Sequence, residues 1–291
     1  MKVHLVDGTF ELFRCFFGAP EAQDASGREV GATRGFLHTL VALLRQPDVT
    51  HVAIAFDAVV DVVRPGRAPA PLAGPGPDPR LRAQYPLAAE AARALGLVVW
   101  PMIRYQADDA LATGAALYKD LPGVEQVVIC TTDKDLAQCV LGTRVVLLDR
   151  IHKTLSDEAE VRRRFGVAPS SIPDFLALTG DPSDGLPGVP GFGPKTAAAL
   201  LARHETIEAI PDDPAAWDVA VRGAPRLALT LRLHRLETIL CRNLARKRTD
   251  VPIPHALADL EWRGAHRDAL ARLAAGIGEE AVLARVPRWR E

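Results

Sequence analysis

Short apolar runs that stop at an acid recur along this chain, and they constrain its fold more than any other feature. Residues 3–6 (VHLV) run into Asp7, and residues 51–56 (HVAIAF) run into Asp57. A third run, 97–100, precedes the pair Asp108 and Asp109, and a fourth, 127–130, precedes Asp133 and Asp135. Runs of this length suit buried parallel strands. Helical patterns separate them, for example at 31–44, where Phe36, Leu37, Leu40, Val41 and Leu44 share one face. Strands alternating with helices predict an α/β fold with a mainly parallel sheet flanked by helices. Such sheets carry ligand sites at the carboxyl ends of their strands, where these acids fall. One strand-end Asp is ordinarily a turn former or a cap, and acids in a first helical turn ordinarily serve the helix dipole. The repetition turns the reading towards a shared site.

A second dense stretch is 178–201, LTGDPSDGLPGVPGFGPKTAAALL. Asp181 and Asp184 sit in a turn-rich segment that lets side chains point into a site. Gly188 to Gly193 predicts a tight hairpin, with Pro194 at the first position of an Ala/Leu helix. The free amides of that helix start, beside Lys195, suit a phosphate. Gathered at one sheet edge, the acids would repel one another unless cations neutralised them. Oxygen ligands select Mg²⁺ or Mn²⁺, and two such ions about 3.5–4 Å apart suit phosphodiester hydrolysis. The sequence has no histidines in zinc spacing, no P-loop, no nucleophile elbow and no dinucleotide fingerprint.

Composition adds less. The 291 residues allow one large domain or a main domain with an appendage, 48% hydrophobic and 24% charged content is an ordinary globular mix, and the net charge of −1 advertises no nucleic-acid binder. The neighbourhood of Arg242, Arg246, Lys247 and Arg248 is locally basic. Cys15, Cys130, Cys139 and Cys241 lack zinc-type spacing and are expected to be buried free thiols. The N-terminus enters a strand with no signal-peptide core, and no apolar run is long enough for a bilayer; a cytoplasmic protein is expected. Residues 63–86 are a Pro/Gly-rich break with Arg64, Arg67, Arg80 and Arg82, read as a surface loop or a binding loop.

The stretch 178–201 resembles the helix-hairpin-helix of structure-specific 5′ nucleases, the family of the 5′-nuclease domain of bacterial DNA polymerase I and the flap endonucleases. Its pattern, TGDxSDNxPGVxGIGxKTA, is matched except for Gly185 in place of Asn and Phe192 in place of Ile. Residues 105–109, YQADD, resemble the family's YEADD with Gln106 for Glu, and 131–139 resemble TxDKDxxQL with Cys139 for Leu. The closing 244–253 resembles LxxVRTDLPL. In the loop only GRAPAP (66–71) echoes the family's arch, whose Tyr-Lys-x-x-Arg motif is not recognisable here.

The resemblance spans about residues 1–255 and implies a PIN-like catalytic domain at 1–178, with an arch-like loop at 63–86. It implies a helix-hairpin-helix DNA-binding subdomain at 179–255, followed by a helical tail at 256–291 packed on the body. It implies a first metal at Asp7, Asp57 and Asp108 with Asp109 and Gln106 close by, and a second at Asp133, Asp135 and Asp181, with Asp184 acting through water. Arg14 would lie near the scissile phosphate. Gly188, Gly191, Gly193, Lys195, Thr196 and Arg67 would contact DNA, and Ser183 would help to bind K⁺. The implied activity is Mg²⁺-dependent 5′-3′ exonuclease and flap endonuclease cleavage of DNA at flaps, nicks and junctions, by a stand-alone monomeric member. The alternative is a junction-binding protein whose cleavage is weak or lost, which the missing charge at Gln106 would favour.

Overall fold

The computed structural model describes residues 1–57 and 78–290; Arg67 and most of the Pro/Gly-rich break lie outside them. Packing divides the chain into two compact units, one from residues up to Thr131 together with those from Arg248 onward, the other Thr132–Lys247.

The first unit opens with β1 (Lys2–Asp7) and α1 (Gly8–Gly18), followed by α2 (Gly31–Leu44) and β2 (Val49–Asp57). After the break come α3 (Pro79–Arg82), α4 (Tyr85–Ala94), β3 (Val98–Met102), α5 (Ala107–Tyr118) and β4 (Gln126–Cys130). These strands stand in the order β3-β2-β1-β4, and every neighbouring pair is parallel. Val3, Leu5 and Val6 of β1 are fully buried, as are Ala53 to Ala55 of β2. A strand covered on both faces reads as a continuous apolar run, which is why the sequence shows no alternation there.

Register brings the acids level. Asp7 stands opposite Ala55, two residues before Asp57, and Val6 opposite Cys130, just before Thr131. The chain steps outward from β1 to β2 and β3, then returns across β1 to β4. That reversal beside β1 is the switch point at which open sheets place ligands.

The second unit carries β5 (Val145–Asp149) and β6 (Thr154–Ser156), an antiparallel pair, then α6 (Glu158–Phe165), α7 (Ile172–Thr179), α8 (Pro194–His204) and α9 (Ala224–Ala245). α7 packs against both α8 and α9. At its centre Asp174 is buried, accepts from Ile207 N at 2.9 Å and faces Arg242, whose guanidinium also reaches Glu208 at 2.6 Å. Two of the four residues expected to form a basic neighbourhood are therefore internal: Arg242 and Lys247 are buried against acids.

From Arg248 the chain returns to the first unit. The tail forms only one α-helix among the described residues, α10 (Arg267–Ile277), with 3-10 turns at Leu257–Leu260 and Glu280–Arg285. It is attached by α10 against α4, by Trp262 Nε1 donating to Leu95 O at 2.7 Å and by Arg34 Nε donating to Ile277 O at 2.6 Å. The tail packs on its own unit as one α-helix and two 3-10 turns, and Gly278, with positive φ, caps α10. Cys15 and Cys130 are buried thiols; Cys139 and Cys241 are only half-buried. No helix among the described residues is long and apolar enough to cross a membrane.

Candidate active site

Each unit holds its own group of acids. In the first, Asp7 ends β1 and caps α1: Oδ1 accepts from Phe10 N at 2.9 Å and Oδ2 from Thr131 Oγ1 at 3.0 Å. Burial pushes its pKa well up, and the charges of Asp108 and Asp57 push the same way. Asp57 accepts from Thr9 Oγ1 at 3.1 Å and from Ala107 N, at the start of α5, at 3.2 Å. Asp7 thus caps α1, and Asp57 accepts from the first amide of α5.

Asp109, expected close to the first metal, is bonded to two backbone amides. Its Oδ2 accepts from Gln106 N at 3.0 Å and its Oδ1 from Arg248 N at 2.9 Å. Both oxygens of this buried side chain serve backbone amides, the reciprocal bond that closes a helix start. Asp108, half-exposed, is the member of the pair whose charge reaches Asp7. Gln106 is the N-cap residue of α5. Arg14 is bound to the carboxylate of Glu11, which is buried and also accepts from Thr39 Oγ1 at 3.3 Å.

In the second unit, one carboxylate oxygen from each of Asp135, Asp181 and Asp184 lies within 4.8 Å of the others. Asp133 caps the 3-10 turn that follows, accepting from Asp135 N at 2.9 Å. Asp135 is 1% exposed, and no hydrogen bond of normal geometry satisfies either of its oxygens. Its pKa is pushed up to about 8, by burial first and by the neighbouring Asp184 carboxyl, against the pull of Lys247 at 3.4 Å. Asp181 is opposite in character: burial pushes its pKa up, but Lys134 at 2.5 Å and Ser183 outweigh this and hold it low. Ser183 gives both its amide (3.1 Å) and its hydroxyl (2.5 Å) to Asp181 Oδ1.

This donor set fits a divalent cation. Close-packed carboxylates, one of them buried with no hydrogen bond of normal geometry and holding its proton to unusually high pH, describe a hard oxygen site short of counter-charge. Two ammonium groups, Lys134 and Lys247, supply part of that charge. Sequence reasoning named neither as part of the cluster. Lys134 could have been suspected from its place between Asp133 and Asp135; Lys247 had no local signal.

Between the acids and α8, the hairpin is built by glycine. Gly188 has φ +71, and a Cβ there would stand 2.6 Å from Gly180 N; Gly191 has φ +89 at the turn closed by Phe192 N to Val189 O, 3.0 Å. Gly193 is different: its φ is −95 and nothing stands within 4 Å of an added Cβ. Lys195 and half-exposed Thr196 follow Pro194 in the first turn of α8, whose leading amides have no intrahelical partner. The contrast is testable. Gly188→Ala is expected to cost about 2 kcal/mol or more of stability through positive φ and backbone overlap, whereas Gly193→Ala should change it by about 0.5 kcal/mol at most. Denaturant melts of the two variants check this, and equal losses would refute it.

Two family models cover the chain in succession: the 5′-3′ exonuclease N-terminal resolvase-like domain over residues 2–166 and the 5′-3′ exonuclease C-terminal SAM fold over 167–268. The chain belongs to the 5′-3′ exonuclease family. It shares with that family the class of hydrolytic nucleases. The 5′-3′ exonuclease of Aquifex aeolicus is 32% identical over 248 residues, 82% of each chain. DNA polymerase I of Bacillus caldotenax is 33% identical over 295 residues, which is 97% of this chain and 32% of the polymerase. This chain thus spans about a third of the length of the curated polymerases it matches. Among solved structures, T5 5′-exonuclease with bound zinc superposes with a TM-score of 0.67 at 16% identity, over 97% of this chain and 100% of that one. The bacteriophage T5 D15 flap endonuclease, in a pseudo-enzyme-product complex with DNA and metal ions, gives 0.59 at 16% identity, over 98% and 96%. These likenesses establish the fold, and the family models carry the family assignment.

Proposed function

We propose that this 5′-3′ exonuclease family member hydrolyses DNA phosphodiesters near single-strand/duplex junctions, at flaps and nicks, with two divalent cations, Mg²⁺ or Mn²⁺. The observation that carries the reading is Asp135, a buried carboxylate with no hydrogen bond of normal geometry inside a cluster of acids. One ion would be held by Asp7, Asp57 and Asp108, the other by Asp133, Asp135, Asp181 and Asp184. Bound divalent cations supply Lewis acidity towards phosphoryl oxygens and make water a stronger acid. The chain's own part is to hold these carboxylates together and aligned. Thr131, Phe10 N and Thr9 orient Asp7 and Asp57, and Ser183 orients Asp181. Asp109 works one step back, tying the α5 start to Arg248 N.

The amides of Lys195 and Thr196, with the Lys195 charge, would receive a duplex phosphate, and Gly188, Gly191 and Gly193 let that backbone approach. Residues 179–255 would form this DNA-binding subdomain beside a catalytic domain at 1–178. Ser183 and hairpin carbonyls would bind K⁺, Arg14 would turn from Glu11 towards the scissile phosphate, and Arg67 would meet DNA from the loop. With DNA as substrate, the expected place of action is the cytoplasm.

Digestion of a 5′-labelled flap with Mg²⁺ and then Mn²⁺ tests the reading: release of a short labelled product supports it, and an intact label with both ions refutes it. Lys195→Ala should weaken binding to every duplex-containing substrate alike and lower the salt slope by about one unit, as loss of one phosphate contact does. An unchanged slope would reduce the hairpin to a structural turn. The second reading, a junction binder with weak cleavage, is favoured by the uncharged Gln106 and by the commitment of Asp109 to amides. The same digestion separates the two.

A further inference from the structure

Helix α9 has two apolar faces, and the fold uses only one. Leu227, Ala228, Leu231, Thr238, Arg242 and Ala245 are buried within their own unit, where α9 packs on α7. Leu229, Leu233, Leu236, Leu240 and Leu244 are exposed, by 49, 72, 81, 64 and 38%. Helix formation does not require them, since Lys, Gln, Glu and Arg serve a helix nearly as well as Leu. Five leucines in a line also make a patch of the kind that marks an interaction surface.

Their spacing says what fits. Leu229, Leu233, Leu236 and Leu240 are four, three and four residues apart, the alternating d and a positions of a heptad. In that frame the buried residues fall at b, c and f, the side that faces away from a coiled-coil partner. The flanking g and e positions then hold Arg232 and Glu237, both exposed, and half-buried Ile239 with Leu244. In a parallel pair of identical helices, g of one helix meets e of the other five residues on. Arg232 would meet Glu237 of a second copy and Ile239 would meet Leu244, twice each by symmetry. An antiparallel pair centred on the same leucines would set Arg232 against Ile239 and Glu237 against Thr230, matching neither charge. Within its own helix Glu237 makes a long contact to His234 Nδ1, 3.4 Å.

We propose that α9 is a dimerisation helix and that two copies of this chain associate through a short parallel coiled coil along these leucines. This replaces the monomer expected from the sequence. Two heptads alone would be too short to fold and pair in water, but α9 is already held helical by α7, so the nucleation cost is not paid on association. A small seam of this kind implies a micromolar, concentration-dependent dimer and no obligate one.

Sedimentation equilibrium of the full chain tests this from roughly 1 to 100 µM, the range that brackets such an affinity. Wild type should pass from monomer to dimer mass. Leu233→Glu with Leu240→Glu should stay monomeric with an unchanged melt, because both side chains are exposed. Arg232→Glu alone should weaken dimerisation on the order of tenfold by turning two attractive pairs repulsive, and adding Glu237→Arg should restore it. A monomeric wild type, a dimer that survives the two glutamates, or a double charge swap that fails to restore pairing would each overturn the proposal. DNA cleavage does not enter the test, so its outcome is separate from that of the nuclease reading.

Discussion

Asp135→Asn is expected to lower flap cleavage by about three powers of ten, ~4 kcal/mol of lost transition-state stabilisation, while leaving junction binding intact or tighter. Neither side-chain oxygen of Asp135 makes a hydrogen bond of normal geometry. Asp133 spends an oxygen on the Asp135 amide, and Asp181 is held by Ser183 and Lys134. Asp135 has only Lys247 at 3.4 Å and the neighbouring Asp184 carboxyl. An amide of the same shape keeps the packing but removes the charge that a cation needs, and it puts an N–H₂ where a ligand oxygen stood. Binding should survive because one negative charge fewer faces the phosphate. Single-turnover cleavage and fluorescence anisotropy on one flap substrate check both halves, with Glu160→Gln, a half-exposed acid paired to Arg163, as control. Cleavage within tenfold of wild type would remove Asp135 from the reaction.

The second large effect is on stability. Burial gives folded, metal-free Asp135 a pKa of about 8 against an ordinary 3.8, so the folded chain holds a proton there that the unfolded chain has released. Its contribution to stability is complete below 3.8 and is lost as pH rises towards about 8. Asp7, raised by burial and by Asp108, acts in the same direction. His51, lowered by burial from 6.5, acts in the opposite direction at the acidic end, so the clean window lies above that value. In EDTA the melting temperature should therefore fall between neutral and mildly alkaline pH. A divalent cation selects the ionised acids and should reverse that fall. At a hundredfold excess over its dissociation constant it adds about 2.7 kcal/mol, or roughly 3 °C or more for a chain of this size. Thermal melts with EDTA and with Mg²⁺, at both ends of the window, in wild type and Asp135→Asn, measure it. A cation shift of equal size in the variant would place the ion elsewhere.

Much of this protein is legible in its sequence because the constraints are local. A buried parallel strand must be apolar on both faces, so β1, β2 and β4 announce themselves, and the acid after each is where the strand must stop. Pro194 marks the start of α8, and Gly191 marks a turn that demands positive φ. Family patterns around Asp133, Asp135, Asp181 and Asp184 depend on the same short-range spacing.

What local spacing cannot carry is which partner a side chain finds across the fold. Asp108 and Asp109 are neighbours in sequence, yet one helical step of about 100° sends Asp109 to the amide of Arg248 and leaves Asp108 to act on Asp7. Lys247 is a plain basic residue until packing buries it beside Asp135. Gly193 sits in a glycine-rich motif, but its φ of −95 leaves no conformational need for glycine. In α9 leucines fill two faces, and only the tertiary structure decides which one the protein buries, because burial depends on what α7 presents and not on the helix itself.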